Sequence, residues 1–356
     1  MDKVIIVVNP GSTSTKVALF DINNKCLAES AVSHPSDQLA QFDNVADQFD
    51  LRLNGIESWL AEQDIDNTEV VAIAGRGAPM RPLESGIYNI NEQMLDDLKN
   101  MRYSNHASNL GSIIAKHLGK KYNVFSIIVD PVTIDDFSDY ARVSGIPEIE
   151  RKCRSHALNL REVCRREAIR LNKTIDTCNF VGVHMGGGIS IAAIKNGKII
   201  EVNDALLGMG PFSPDRAGAL PIGSLVKLAY SGKYTEAELI KKLSRESGLL
   251  AYLGESDVRK VEERIDNGDE KAKLYYNAML YQIAKEVGAC AVVLKGQIDG
   301  IILTGGMAQS RKLTDILSEQ ISFLGKVILV PGEFEMSALA GGAIRVLNNE
   351  ESPKEY

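Results

Sequence analysis

The chain has 356 residues, 44% of them hydrophobic and 24% charged, with a net charge of −7. That length exceeds the size at which one core usually stops growing, so two domains are expected, and the composition is that of an ordinary globular protein. The acidic balance excludes a broad surface for nucleic acid or anionic membrane, yet leaves room for local basic pockets that hold phosphate.

The N-terminal "MDKVIIVVNPG" has too short an apolar run for a secretory signal, and no later stretch reaches transmembrane length. Cys26, Cys153, Cys164, Cys178 and Cys290 are odd in number and form no CxxC pair. They read as reduced thiols of a cytoplasmic protein.

In chain order, strand patterns fall at 4–8, 16–20, 70–74, 124–129, 180–184, 189–194, 198–202, 300–304 and 327–330. Helical patterns lie near 38–62, 92–99, 108–118, 157–171, 223–230, 235–243, 258–265, 270–295, 310–320 and 337–347. Such alternation implies an α/β protein with central sheets. Gly and Pro punctuate the joins at "GRGAPMRP", "VSGIPE" and "MGPFSPDRAGALP". The tail "NNEESPKEY" reads as frayed, and the charges of "REVCRREAIR" read as a solvated helix face.

The first two strands, "VIIVVNPGSTSTKVALFD", enclose a turn longer than a two-residue hairpin needs. Asn9, Gly11, the hydroxyls of Ser12 to Thr15 and Lys16 gather there. Hydroxyls, glycine amides and one ammonium can wrap a phosphate, and they equally make a polar hairpin loop. The pattern returns at 182–200, "GVHMGGGISIAAIKNGKII", where Gly186 aligns with Gly11 and His184 with Asn9, an offset of 175. One three-stranded meander is therefore expected in each half. Two like domains with phosphate-sized loops suggest a nucleotide in the cleft between them. A third glycine loop, "DGIILTGGMAQS", could admit a flat ring or simply turn the chain. Neither GxxxxGK[ST] nor GxGxxG occurs, so a P-loop or Rossmann fingerprint is unsupported.

"NPGSTSTK", "VHMGGGISIAAIKNGK", "ESDVR" and "LTGGMA" together resemble the acetate and sugar kinase/Hsp70/actin superfamily. Within it they resemble the carboxylic acid kinases of the acetokinase family, and specifically the butyrate kinases. "NHASNLGSIIA", "VDPVTIDD", "ARVSGIPEIERK", "SHALN", "GPFSPDRAGALP" and "SGKYT" extend the likeness, in order, over nearly the whole chain. The resemblance implies duplicated ribonuclease H-like (actin-like ATPase) α/β domains with an active-site cleft between them. Residues 1–148, completed by a C-terminal helix at 336–356, would form the first, and 149–335 the nucleotide-binding second.

Site residues follow from the same resemblance, position by position. Asn9 matches an asparagine near the metal, and Ser12, Ser14 and Lys16 the adjoining nucleotide loop. Arg76 matches the arginine that holds the substrate carboxylate. His106 and Asp130 match a conserved histidine and an essential aspartate. His156 matches the histidine that contacts the phosphoryl group in flight, Arg216 the second active-site arginine, and Glu335 a glutamate for magnesium. For ATP, His184, Gly186, Gly187 and Gly188 match the phosphate loop, Asp257 to Arg259 the "SDxR" segment, and Gly305, Gly306, Met307 and Ala308 the adenosine loop. Ala78, Ser155, Phe212 and Pro214 would line the acyl pocket. ATP/ADP and Mg²⁺ are the implied cofactors, a small carboxylate the substrate, and a homo-oligomer the assembly.

Each residue also has a plainer role open to it. Arg76 and Arg81 could be surface arginines, His156 a helix-starting residue, and His184 a hydrogen-bonded core histidine. Asp130 before Pro131 could serve a turn, and Glu335 could open a helix at its positive end. His34 and His117 are given no role in the chemistry. Ala78 and Ser155 replace the bulkier Val and Phe of the acetate kinase pattern, which suits a longer acid, since each buried CH₂ contributes about 0.8 kcal/mol. "GGMAQS" and Phe334 also depart from that pattern. The reaction implied is butanoate plus ATP giving butanoyl phosphate plus ADP. Isobutyrate, propionate or acetate are the alternative acids, and a non-catalytic actin-like nucleotide switch is the alternative of another class.

Overall fold

Strand β1 (Val4–Pro10) is buried along nearly its whole length, as an unbroken apolar run demands when both sheet faces are covered. It belongs to a computed structural model that describes residues 3–63 and 65–356. The chain divides into two units, one formed by residues up to Ile134 with Phe334–Tyr356, the other by Asp135–Glu333. Residues 135–148, expected in the first domain, thus belong to the second unit.

The first unit is built on a six-stranded sheet. Its strands are β1, β2 (Ser14–Asp21), β3 (Cys26–Ser33), β4 (Val70–Arg76), β5 (Ile87–Asn89) and β6 (Ser126–Val129). Their spatial order is β3-β2-β1-β4-β6-β5. β1 runs antiparallel to β2, with Asn9 opposite Lys16, and parallel to β4. Helices Phe49–Ala61, Asn109–Tyr122 and Glu335–Leu347 pack on this sheet. Helix Asn109–Tyr122 crosses β4 at two glycines: a Cβ on Gly75 would stand 2.4 Å from the Gly111 carbonyl oxygen. Only glycine permits that approach, which fixes the end of β4 where Arg76 sits.

The second unit repeats the meander. Its strands are β7 (Asn179–Met185), β8 (Ile189–Lys195), β9 (Lys198–Val202), β10 (Gly300–Gly305) and β11 (Val327–Pro331), in the order β11-β10-β7-β8-β9. β1 and β7 begin and end at the expected offset of 175. Alternation along β7 sorts its neighbours. Val181, Val183 and Met185 join Tyr276, Met279 and Ile283 of helix Glu270–Val293 in one core. On the opposite face, a Cβ on Gly182 would meet Leu160 of helix Ala157–Arg170 at 2.9 Å. His184 shares that second face.

The structure corrects three readings. The tail is docked, not frayed: Tyr356 is buried, its hydroxyl donates to Asp97 at 2.8 Å, and Arg81 lies over its ring at 4.1 Å. Lys354 also exchanges backbone hydrogen bonds with Ile87 and Asn89. "REVCRREAIR" is not a solvated face, because Arg161, Glu162 and Glu167 are buried. Glu162 is satisfied by Arg166 at 2.8 Å, and Glu167 by Arg170. The single helix expected at 38–62 is instead a short turn of helix at Ser36–Leu39, a 3₁₀ turn at Val45–Gln48 and helix Phe49–Ala61. No helix among the described residues is long and apolar enough to cross a membrane.

Candidate active site

In the first unit, the turn after β1 is held from below. Arg52 has no exposed surface, and its Nη1 and Nη2 donate to the carbonyl oxygens of Gly11 at 2.9 Å and Ser12 at 3.1 Å. Nη1 also reaches Thr15 Oγ1 at 3.2 Å, while Nε and Nη2 bond the Gln48 amide oxygen. Thr15 Oγ1 meets His34 at 2.9 Å. Burial pushes both Arg52 and His34 down, and the Arg52 charge adds to the effect on His34. From the sequence, His34 is given no role in the chemistry, and Arg52 is not named. The signal for Arg52 was present, since it shares the buried helix face with Ile56 and Leu60 at four-residue spacing. The candidates Ser12 and Lys16 are exposed above this support, and Ser14 is half-buried.

At the carboxyl ends of β1 and β4 the structure brings three candidates together. Asn9 Nδ2 donates to Glu335 Oε2 at 3.0 Å, and Arg76 Nη1 lies 2.5 Å from Glu335 Oε1. The Arg76 contact is a charge contact without an aligned hydrogen bond. Glu335 opens helix Glu335–Leu347, where the positive helix end favours an anion. Asp130 and His106 have other partners. Asp130, at φ 39°, accepts from the Gly86 amide at 2.8 Å and so ties down a turn. His106 Nδ1 accepts from the Ser108 amide at 3.2 Å, which leaves its proton on Nε2. Ala78 is fully buried within the first core.

In the second unit, four candidates converge where β7 ends. The rings of His156 and His184 stack with centroids 3.9 Å apart and 9° between planes. His156 Nδ1 is 2.8 Å from Ser190 Oγ, and Ser190 pairs with His184 across β7 and β8. In the Gly186–Gly188 turn, the Gly186 amide donates to the Gly188 carbonyl at 3.1 Å. A Cβ on Gly188 would stand 2.4 Å from Arg216 Nη1 and 3.2 Å from His156 Cε1, so only glycine lets both side chains lie on the turn. Arg216 is placed by its amide, which donates to Ser213 Oγ at 3.1 Å, and by Asp215 at 3.8 Å from its Nε. Burial pushes the Asp215 carboxyl up against the pull of Arg216.

Of the remaining candidates, Ser155 adjoins His156 in sequence, Phe212 and Pro214 flank Ser213, whose hydroxyl donates to the Gly187 carbonyl, and Gly305 packs against Met185 at the end of β7. Asp257 caps helix Val258–Asp266 and bonds Arg259 at 2.7 Å, which holds its carboxyl down to about 2. Gly305, at φ 90°, exchanges backbone hydrogen bonds with Gly332. A Cβ there would meet the Met185 carbonyl at 2.3 Å, so glycine is required. Gly306 is open to a side chain, whereas Met307 and Ala308 are buried. Phe212 and Pro214 are buried too, and Phe212 belongs to the second core. Ser155 Oγ is buried and finds no hydrogen-bond partner among the described residues.

No group of three or more His, Cys, Asp or Glu among the described residues is arranged to hold a metal ion. Glu335 and Asn9 still offer one carboxylate and one amide oxygen. Those donors suit a magnesium ion whose other positions are filled by nucleotide phosphates and water.

A model of the acetokinase family matches residues 149–330. Among solved structures, the chain is similar to an acetate kinase from Porphyromonas gingivalis, at 20% identity over 97% of this chain and 100% of that one, with a TM-score of 0.79. It is similar to an acetate kinase from Entamoeba histolytica, at 17% identity over 96% and 98% of the two chains and a TM-score of 0.75. A propionate kinase from Francisella tularensis subsp. tularensis SCHU S4 gives 18% identity over 96% and 98%, with a TM-score of 0.74. At these identities the likeness carries the fold: two actin-like α/β domains.

Proposed function

Since residues 149–330 answer to its model, the chain belongs to the acetokinase family, and we propose that it transfers the γ-phosphoryl group of Mg·ATP to butanoate. A carboxylate oxygen attacks the γ-phosphorus in line, and the bond to the bridging oxygen breaks with its electron pair leaving on ADP. The acid is already ionised at neutral pH, so no general base is needed. What must be overcome is repulsion between a carboxylate and a polyphosphate, together with charge that spreads over the phosphoryl oxygens.

The observation that carries this reading is the convergence of Arg216 and His156 on Gly188 at the end of β7. A forked guanidinium and an imidazole beside a glycine turn form a donor set for phosphoryl oxygens. In the first unit, Arg76 is assigned the carboxylate of the acid, and Lys16, Ser12 and Ser14 the phosphates. His184 and Gly186–Gly188 are assigned the β- and γ-phosphates, and Asp257–Arg259 and Gly305–Ala308 the adenosine. Magnesium, when bound, would neutralise phosphate charge, with Asn9 and Glu335 as its protein donors.

Butanoate is preferred over acetate, propionate or isobutyrate on the motif blocks and on the small side chain of Ser155. A hydroxamate assay with ATP across C2 to C6 acids tests both levels. The highest kcat/KM is expected with butanoate, and no acyl hydroxamate with any acid would end the kinase reading.

A further inference from the structure

Asn159 takes no part in the chemistry above, yet it joins three pieces of the second unit. It is fully buried in the first turn of helix Ala157–Arg170, just beyond His156. Its Nδ2 lies 3.0 Å from His184 Nδ1 and 3.2 Å from Thr304 Oγ1. Thr304, also fully buried, reaches the Gly332 carbonyl oxygen at 3.2 Å.

The proton positions follow from one end of this chain of contacts. A carbonyl only accepts, so the Thr304 hydroxyl gives its proton to Gly332 and offers Asn159 a lone pair. The amide face turned to Thr304 is therefore the NH₂. The same nitrogen faces His184, so Nδ1 of that ring must accept, and the ring proton is on Nε2. A Cβ on Gly186 would stand 3.6 Å from that Nε2, which puts the N–H at the glycine turn.

We infer that Asn159 is a positioning residue that fixes His184 as the Nε2–H tautomer, so that a donor and not a lone pair faces the Gly186–Gly188 turn. The ligand class is a phosphate oxygen, and that half of the inference rests on the nucleotide reading above. With the other tautomer, a nitrogen lone pair would face the anion and repel it. A ring flip would exchange Nδ1 for a carbon against Asn159 and lose the bond. Aspartate at 159 would accept from Nδ1 and call the proton to the wrong nitrogen. Leucine would remove the amide donor that Nδ1 and the Thr304 hydroxyl share.

The test is long-range ¹H–¹⁵N correlation on the full chain labelled at histidine nitrogens. His184 is expected to show a lone-pair Nδ1 and a protonated Nε2, and in Asn159→Asp a protonated Nδ1. A wild-type spectrum with the proton on Nδ1 would overturn the inference without any variant. Titration with ADP, and separately with inorganic phosphate, is expected to move the Nε2–H proton downfield. An unmoved resonance at saturating ADP overturns the ligand half. Asn159→Leu is expected to weaken ADP binding roughly 10-fold, the size of one lost hydrogen bond to a charged group. The expected tautomer and ADP shift, combined with no hydroxamate from any acid, would sustain this inference while removing the carboxylate substrate.

Discussion

Arg76 and Glu335 neutralise each other across 2.5 Å at the end of β4, while Asn9 holds the second oxygen of the same carboxylate. The proposed substrates would separate this pair, since a carboxylic acid competes with Glu335 for Arg76 and a metal ion competes with Arg76 for Glu335. Glu335→Gln is therefore expected to raise the magnesium concentration needed for half-maximal rate by an order of magnitude or more. Butanoate binding without nucleotide is expected to tighten in the same variant. A magnesium titration that superimposes on wild type would remove Glu335 from the metal. Arg76→Ala and Arg216→Ala are each expected to lower kcat about 10²–10³-fold with the fold intact, the usual cost of one donor to transition-state charge. Near-normal kcat in a folded double variant would rule that out.

Arg52 is the next site to test, because its role is architectural. Its guanidinium satisfies part-buried carbonyls of the β1–β2 turn and the buried oxygens of Thr15 and Gln48, and each buried acceptor left without a donor costs about 1–3 kcal/mol. Arg52→Leu is expected to lose about 3 kcal/mol or more of unfolding free energy. Arg52→Lys should not recover it, since an ammonium cannot span acceptors on both sides of the turn. Urea unfolding that placed both variants within about 0.5 kcal/mol of wild type would show that the turn is held by other contacts.

The contrast between Arg52 and the glycine turns marks what the sequence could reveal. Turn chemistry and strand alternation are local, so the repeated meander and its offset of 175 were legible, and the end of β7 was legible to within one residue. Buried partners are not local: Arg52 reaches the turn some forty residues earlier in the chain, and Asn159 reaches from its helix to Thr304 on β10. Helical spacing told which face Arg52 occupies but not which groups lay beneath it. The tail misled for the same reason. Its polar composition hid one aromatic, Tyr356, whose slot under Arg81 and beside Asp97 exists only in the folded unit. Likewise, the carboxylates of "REVCRREAIR" have helical charge spacing, but their partners on the same helix let them be buried.

Glu286 offers a pH test of the second core. Burial pushes its carboxyl up, and the Glu201 charge pushes further, against the pull of Arg151 and Lys285. An acid whose folded value exceeds its unfolded one holds more protons when folded, so stability falls as pH rises through that window. The penalty is absent below the ordinary carboxylate range and complete above the raised value. Glu286→Gln cannot ionise and is expected to melt higher than wild type at about pH 8. The difference should shrink towards zero near pH 4, below the ordinary glutamate value. A gain of equal size at both pH values would assign the effect to packing.

Ser155 and Ala78 were the residues assigned to acyl-chain length, and the structure separates them as probes. Ala78 has no exposed surface and sits within the first core, so Ala78→Val adds a methyl pair to closed packing. Overpacking of that kind typically costs about 1–3 kcal/mol, and a loss of activity there would report on folding as much as on substrate. Ser155 is the cleaner probe. Its hydroxyl is buried without a partner among the described residues, so Ser155→Ala removes an unsatisfied group and is expected to leave stability unchanged or slightly raised. If the hydroxyl bonds a substrate oxygen, Ser155→Ala lowers kcat/KM for every acid equally. If it only leaves room for the acyl chain, Ser155→Ala is neutral and Ser155→Phe lowers butanoate far more than acetate. The second outcome is expected, with the acetate-to-butanoate ratio rising about 10- to 200-fold for each of the two extra methylenes that the pocket excludes. The measurement is kcat/KM for acetate, propionate, butanoate and isobutyrate in both variants, beside their melting temperatures. A ratio that stays constant in folded Ser155→Phe would take chain-length selection away from this residue.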